Sequence, residues 1–130
     1  MSRRGPASTQ DDAYASWIGL RPGDVGEVRL TVRSELVNPI GKLYGPVGFA
    51  MVDYAMGDAV WDAIGPEDAA ATVNIAINYL TSTGEGEVVC RARLDRRGRS
   101  LAFTSAEVRD AEDRLLFTAV GTFAVYQRQA

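Results

Sequence analysis

From residue 47 to residue 64 the chain is apolar almost all the way round a helix. Tyr44, Gly45 and Pro46 precede this run, and Gly65 and Pro66 follow it. Proline suits the first helical position, where its missing N–H costs nothing, and a Gly-Pro pair halts a helix. The spacing predicts a helix from Pro46 to about Ile64. A helix of this length with no polar face is normally buried, so the rest of the chain must surround it. Gly48 and Gly57 lower its helix propensity, which points to close packing against a neighbour. Asp53 is the acid that fits this setting least. A carboxylate there needs either hydrogen-bond partners or a chemical task, and burial would raise its pKa and make it a better base. Asp58 and Asp62, nearer the helix end, are expected to face solvent.

The flanking sequence supplies the wrapping. Residues 11–20 predict a short helix with Tyr14, Trp17 and Ile18 on one side, and residues 21–24 a turn. Val28, Leu30, Val32 and Leu36 alternate with Arg29, Thr31, Arg33 and Glu35, the period of a strand with one wet face. After the helix, Val73, Ile75, Ile77 and Tyr79 alternate with polar or small residues. Further strands are expected over residues 87–95, 101–109 and 115–126, with residues 96–99 as a tight hairpin turn. The order is strand, buried helix, then four antiparallel strands in a meander. That is an α+β architecture, one long helix wrapped by an antiparallel sheet of about five strands. Residues 1–10 read as a flexible tail and residues 11–130 as one domain.

Composition narrows the chemistry. The 130 residues include no histidine, which removes imidazole bases, Ser-His-Asp and Cys-His catalysis, and most zinc sites. Acid–base chemistry falls to Asp, Glu, Tyr, Lys or the one thiol, and no metal or redox cofactor is expected. The single cysteine, Cys90, excludes an internal disulfide and fits the cytoplasm. It alternates with Val88, Ala92 and Leu94, the pattern of a buried structural thiol. A net charge of −3 argues against general affinity for nucleic acid. No apolar run is long and charge-free enough to span a membrane, and the N-terminal stretch lacks the apolar core of a signal peptide.

The element order and three spaced residues resemble the hotdog fold. More narrowly they resemble the acyl-CoA thioesterases of phenylacetate degradation, near the 4-hydroxybenzoyl-CoA thioesterases. The likeness in element order covers roughly residues 17–126. Its specific part is an amide residue, a His-Gly-Gly turn six residues on, and an acid nine residues after that His. Here Asn38, Tyr44-Gly45-Pro46 and Asp53 fill those places. The strand of residues 72–80 and the hairpin of residues 96–99 also look like family features. The chain departs from the pattern with Tyr44 for His, Pro46 for the second Gly, and Gly57 where some members carry a hydroxyl.

The resemblance implies an acyl-CoA thioesterase with Asp53 as general base or nucleophile. Otherwise Asp53 is a buried acid satisfied by backbone donors or a neighbouring chain. Gly45, at a positive helix end, is placed to polarise a thioester carbonyl, because Pro46 has no N–H; alternatively it is a plain helix start. Asn38 orients water or the acyl group, or caps its own loop before Pro39. Tyr44 lines the acyl pocket or packs at a corner. Pro46 and Tyr54 are further substrate-binding candidates, and Phe49, Met51 and Met56 complete the apolar candidates. Gly45 and Asp53 lie eight residues apart on one helix, about 12 Å at ~1.5 Å per residue. One carbonyl cannot reach both, so a shared site needs two chains with antiparallel helices. Family members likewise share sites between subunits, often in a dimer of dimers. Residues 91–99 carry five arginines against Asp95, a local +4 that leaves −7 elsewhere. Arg96, Arg97 and Arg99 are candidates for the phosphates of coenzyme A, or are ordinary surface charge. A hotdog dehydratase or hydratase would need a histidine. A non-catalytic acyl-CoA-binding or regulatory protein fits the altered turn, and a structural dimer module would have no groove beside Asp53.

Overall fold

The structure, a computed structural model, describes residues 12–129; the tail of residues 1–10 lies outside the described residues. Among the described residues, two helices and six strands follow in the order α1 (Ala13–Ile18), β1 (Arg21–Pro22), β2 (Glu27–Val32), α2 (Gly45–Ala63), β3 (Asp68–Tyr79), β4 (Gly86–Arg97), β5 (Leu101–Asp110) and β6 (Leu115–Gln127), with a 3-10 turn at Ser34–Leu36. One antiparallel sheet in the order β1-β2-β4-β5-β6-β3 curls round α2, the hotdog arrangement. Leu36 belongs to the 3-10 turn rather than to the strand before it, and residues 21–22 form a short sixth strand. Among the described residues, no helix is long and apolar enough to cross a membrane.

The 19 residues of α2 span about 28 Å. Gly45 takes the first helical position and Pro46 the second, one residue earlier than expected. Met51, Val52, Ala55, Met56 and Val60 are fully buried, facing Val28, Leu30, Val88, Cys90, Val108 and Phe117 of the sheet. Met51 and Met56 are therefore core, not pocket wall. Gly48 serves packing inside the chain: a Cβ there would sit 2.4 Å from the Phe117 ring. Burial is not uniform round α2, however. Tyr44 and Phe49 are exposed, and Asp53, Tyr54 and Trp61 are half-buried.

The strands after α2 are not a four-strand meander. β4, β5 and β6 run consecutively, but β3 pairs with β6 from residue 68 to residue 79 and closes the far side of the sheet. A period-2 pattern fixes which face is wet; it does not fix which strand supplies the hydrogen bonds. β3 is thus an edge strand, bulged between Thr72 and Asn74. α2 carries the chain from the β2 side of the sheet to the β3 edge.

α1 is shorter than expected, and its faces differ from the expected ones. Ala15 and Ile18 are buried, whereas Tyr14 and Trp17 are exposed and stacked on each other at 6.4 Å. Asp12 caps its start through the Ala15 N–H at 3.0 Å. Gly19, with φ +97°, closes its end, where Arg33 donates to the carbonyl of Trp17 at 2.9 Å and to that of Ile18.

Candidate active site

Asp53 faces a cleft. Position 53 shares a helix face with positions 57 and 61, one and two turns on. Asp53, Tyr54, Gly57 and Trp61 from α2 meet Thr72 of β3 and Phe123 of β6 around a cavity of about 180 Å³. Gly57 has no side chain to fill the space between Asp53 and Trp61. The Thr72 hydroxyl donates to Asp53 Oδ1 at 2.7 Å, which orients the carboxylate. Asp53 is half-buried, not sealed in an apolar sleeve.

The sealed acid of α2 is Asp58, 4% exposed, whose Oδ2 accepts from the Gly26 N–H at 2.7 Å. This corrects the solvent-facing expectation. Residue 58 follows Met51 and Ala55 along the face turned toward the sheet, where the turn before β2 offers a backbone donor. Asp62 is exposed.

Tyr54 lines the same cleft, but its hydroxyl points elsewhere, donating to Asp12 Oδ1 at 2.8 Å. Burial, then the Asp12 carboxylate, pushes the phenol well above its ordinary pKa. At the far wall, the Arg128 guanidinium lies 5.3 Å from the Trp61 ring centroid, within cation–π range. Thr72, Trp61 and Phe123 escaped the sequence reading. Trp61 had a signal in its helical spacing from Asp53. Thr72 had none beyond the wet face of a strand.

Gly45 sits at the other end of α2. No side chain caps this helix start, and its first N–H groups point out along the axis. Tyr79, edge-on to Phe117 at 4.7 Å, donates its hydroxyl to the Gly45 carbonyl at 2.9 Å and so fixes the turn. Tyr44 is 52% exposed, so it packs into no corner of its own chain, and Pro46 is exposed too. Asn38 Oδ1 accepts from the N–H groups of Ile40 and Lys42, both at 3.1 Å; its oxygen shapes the loop. Asn38 and Gly45 stand at one end of the helix and Asp53 at its middle, so a single chain does not assemble the three into one site.

The arginines divide. Arg91 pairs with Glu27 at 3.0 Å and Arg93 with Asp95 at 2.8 Å. Arg97 caps its own hairpin through the carbonyls of Gly98 and Arg99. Arg96 and Arg99 are exposed. Cys90 is buried, and burial pushes its thiol up to about 12, which leaves no thiolate for nucleophilic work at neutral pH.

A larger depression, about 350 Å³, lies on the sheet face away from α2, between Arg91, Arg93, Ser105, Glu107 and Thr118. Its acid, Glu107, is paired with Arg109 at 3.2 Å. Asp53 instead has a neutral hydroxyl, that of Thr72, for its partner.

A model of the thioesterase superfamily matches residues 40–117. The chain belongs to that superfamily. The match takes in Gly45, Asp53, Thr72 and the hairpin of residues 96–99, while α1 and Asn38 lie outside it. A Saccharolobus solfataricus relative, named as a candidate esterase, is 32% identical over 87 residues, 67% of this chain and 57% of its own length. The chain thus spans little more than half of that relative. A Listeria monocytogenes 1,4-dihydroxy-2-naphthoyl-CoA hydrolase is 26% identical over 102 residues, 78% of this chain and 83% of the hydrolase. A thioesterase from Haemophilus influenzae shares the fold, with a TM-score of 0.85 at 19% identity, covering 98% of this chain and 92% of that one. Superfamily membership accounts for the helix-in-sheet architecture.

Proposed function

We propose that the protein is an acyl-CoA thioesterase of the phenylacetate-degradation type, hydrolysing an aromatic or medium-chain acyl-CoA. The supporting observation is the Asp53 carboxylate, held by the Thr72 hydroxyl at the mouth of an aromatic-walled cleft. Asp53 takes a proton from water as the hydroxide adds to the thioester carbonyl, or attacks that carbon itself to give an anhydride that water then opens. In either route the carbon–sulfur bond breaks, and coenzyme A leaves as the thiol beside a carboxylic acid. The carbonyl oxygen gathers charge in the addition step and needs a donor. That donor is the Gly45 N–H of a second copy, because the Gly45 on the same helix lies about 12 Å away. The free side of β3, carrying exposed Val73 and Tyr79 with Leu80 just beyond, gives the second copy a surface to cover; bare edges of this kind invite pairing. Asn38 positions the water through its amide nitrogen. Tyr44, Pro46 and Tyr54 bound the acyl and pantetheine path, and the exposed Arg96, Arg97 and Arg99 take the phosphates. The enzyme works in the cytoplasm without metal or redox cofactor.

The test is thiol release from aryl-, phenylacetyl- and straight-chain acyl-CoAs by the wild type and Asp53→Asn. Loss of a positioned acid or base costs about 10²- to 10⁴-fold in rate, and a drop in that range is expected. Equal rates would remove Asp53 from the chemistry. Tight binding with no turnover by the wild type would leave a non-catalytic acyl-CoA-binding protein.

A further inference from the structure

Tyr54 touches two things at once. Its ring lines the Asp53 cleft, and its hydroxyl donates to Asp12, the residue that caps α1. A six-residue helix has little stability of its own. α1 is held by burial of Ala15 and Ile18, by Arg33 at its end and by Asp12 at its start. α1 also lies outside the superfamily match of residues 40–117, so its grip on the cleft is a feature of this chain beyond the matched segment.

We infer that the Asp12–Tyr54 hydrogen bond is a specificity latch: Asp12 is a positioning residue that sets which acyl groups the Asp53 cleft admits. With its hydroxyl held by Asp12, Tyr54 offers the cleft a fixed apolar ring and no free donor. The cleft is therefore narrow on this side and suited to a compact acyl group. Release of the latch frees the ring to change rotamer and widens the wall next to Asp53. The inference rests on the thioesterase reading for its substrate class, but not for the latch itself.

Three variants isolate the latch from the helix cap. Asp12→Ala removes both, Tyr54→Phe removes only the latch, and Asp12→Asn keeps an oxygen that serves both. Dissociation constants and kcat/KM are measured for compact and bulky acyl-CoAs, and amide exchange is followed in α1. Asp12→Ala and Tyr54→Phe are expected to shift the bulky-to-compact ratio about tenfold toward bulky groups, the scale of one lost hydrogen bond, with faster α1 exchange in both. Asp12→Asn should restore both readouts. A ratio that stays constant while α1 exchange rises would overturn the inference, as would a shift in Asp12→Ala alone, which would implicate the cap. If the wild type turns over no acyl-CoA, the thioesterase reading fails, and the ratio of dissociation constants still decides the latch.

Discussion

At the scale of single residues, two acids on one helix exchange the roles their sequence positions suggest. Asp53, in the apolar middle, faces a cleft; Asp58, nearer the end, is the buried one. A helix apolar all round gives no sequence clue to which side meets the sheet, so the faces of its acids were not legible. The spacing of Asp53 from Gly45 and Asn38 was legible, because positions on one chain are fixed by counting. Thr72 was not, since its hydroxyl meets Asp53 only when β3 lies beside α2. A hydrogen bond to a charged group is worth about 1.5–3 kcal/mol, so Thr72→Val is expected to lower kcat at least about tenfold with little change in KM. Thr72→Ser, which keeps the hydroxyl, should stay near wild type in steady-state kinetics on the same acyl-CoA.

At the scale of elements, the fit of α2 into the sheet depends on what residue 48 lacks. A methyl group at Gly48 would meet the Phe117 ring at 2.4 Å, and Phe117 is itself buried edge-on against Tyr79. Overpacking of this kind costs about 1–3 kcal/mol, against about 1 kcal/mol gained in helix propensity. Gly48→Ala is thus expected to lose up to about 2 kcal/mol net in urea denaturation, despite being the better helix former. The glycine was visible in the sequence as a sign of close packing; the partner, a ring on β6, was not. The same limit applies to the strands. Alternation located all the long ones to within a few residues, yet the placement of β3 beside β6 rather than β4 was beyond it.

At the scale of the whole molecule, the catalytic proposal predicts an assembly. Light scattering should give at least twice the mass of one chain, and a monomer would remove the shared site. Complementation is the sharper measurement. Tyr44, with φ −64° and ψ 132°, already has the backbone a residue before proline prefers, so Gly45→Pro should delete the N–H with little change in the helix start. Asp53→Asn and Gly45→Pro should each be inactive alone. Mixed dimers of the two should recover about half the wild-type rate, because one of the two sites then pairs an intact Asp53 with an intact Gly45. No recovery would mean that the two groups do not serve one site across chains.

The sequence by itself determined the elements: a helix that had to be buried, strands whose alternation named their wet faces, and the eight-residue separation that keeps Gly45 from Asp53 on one helix. These are local quantities, set by the rise of a helix and the pleat of a strand. The tertiary structure alone decided which faces meet. It put β3 at the sheet edge, Thr72 on Asp53, Asp58 under Gly26, and Asp12 on Tyr54. Each of those contacts joins residues 19 or more apart in sequence, and their approach is fixed by how the sheet closes round α2, not by any local preference.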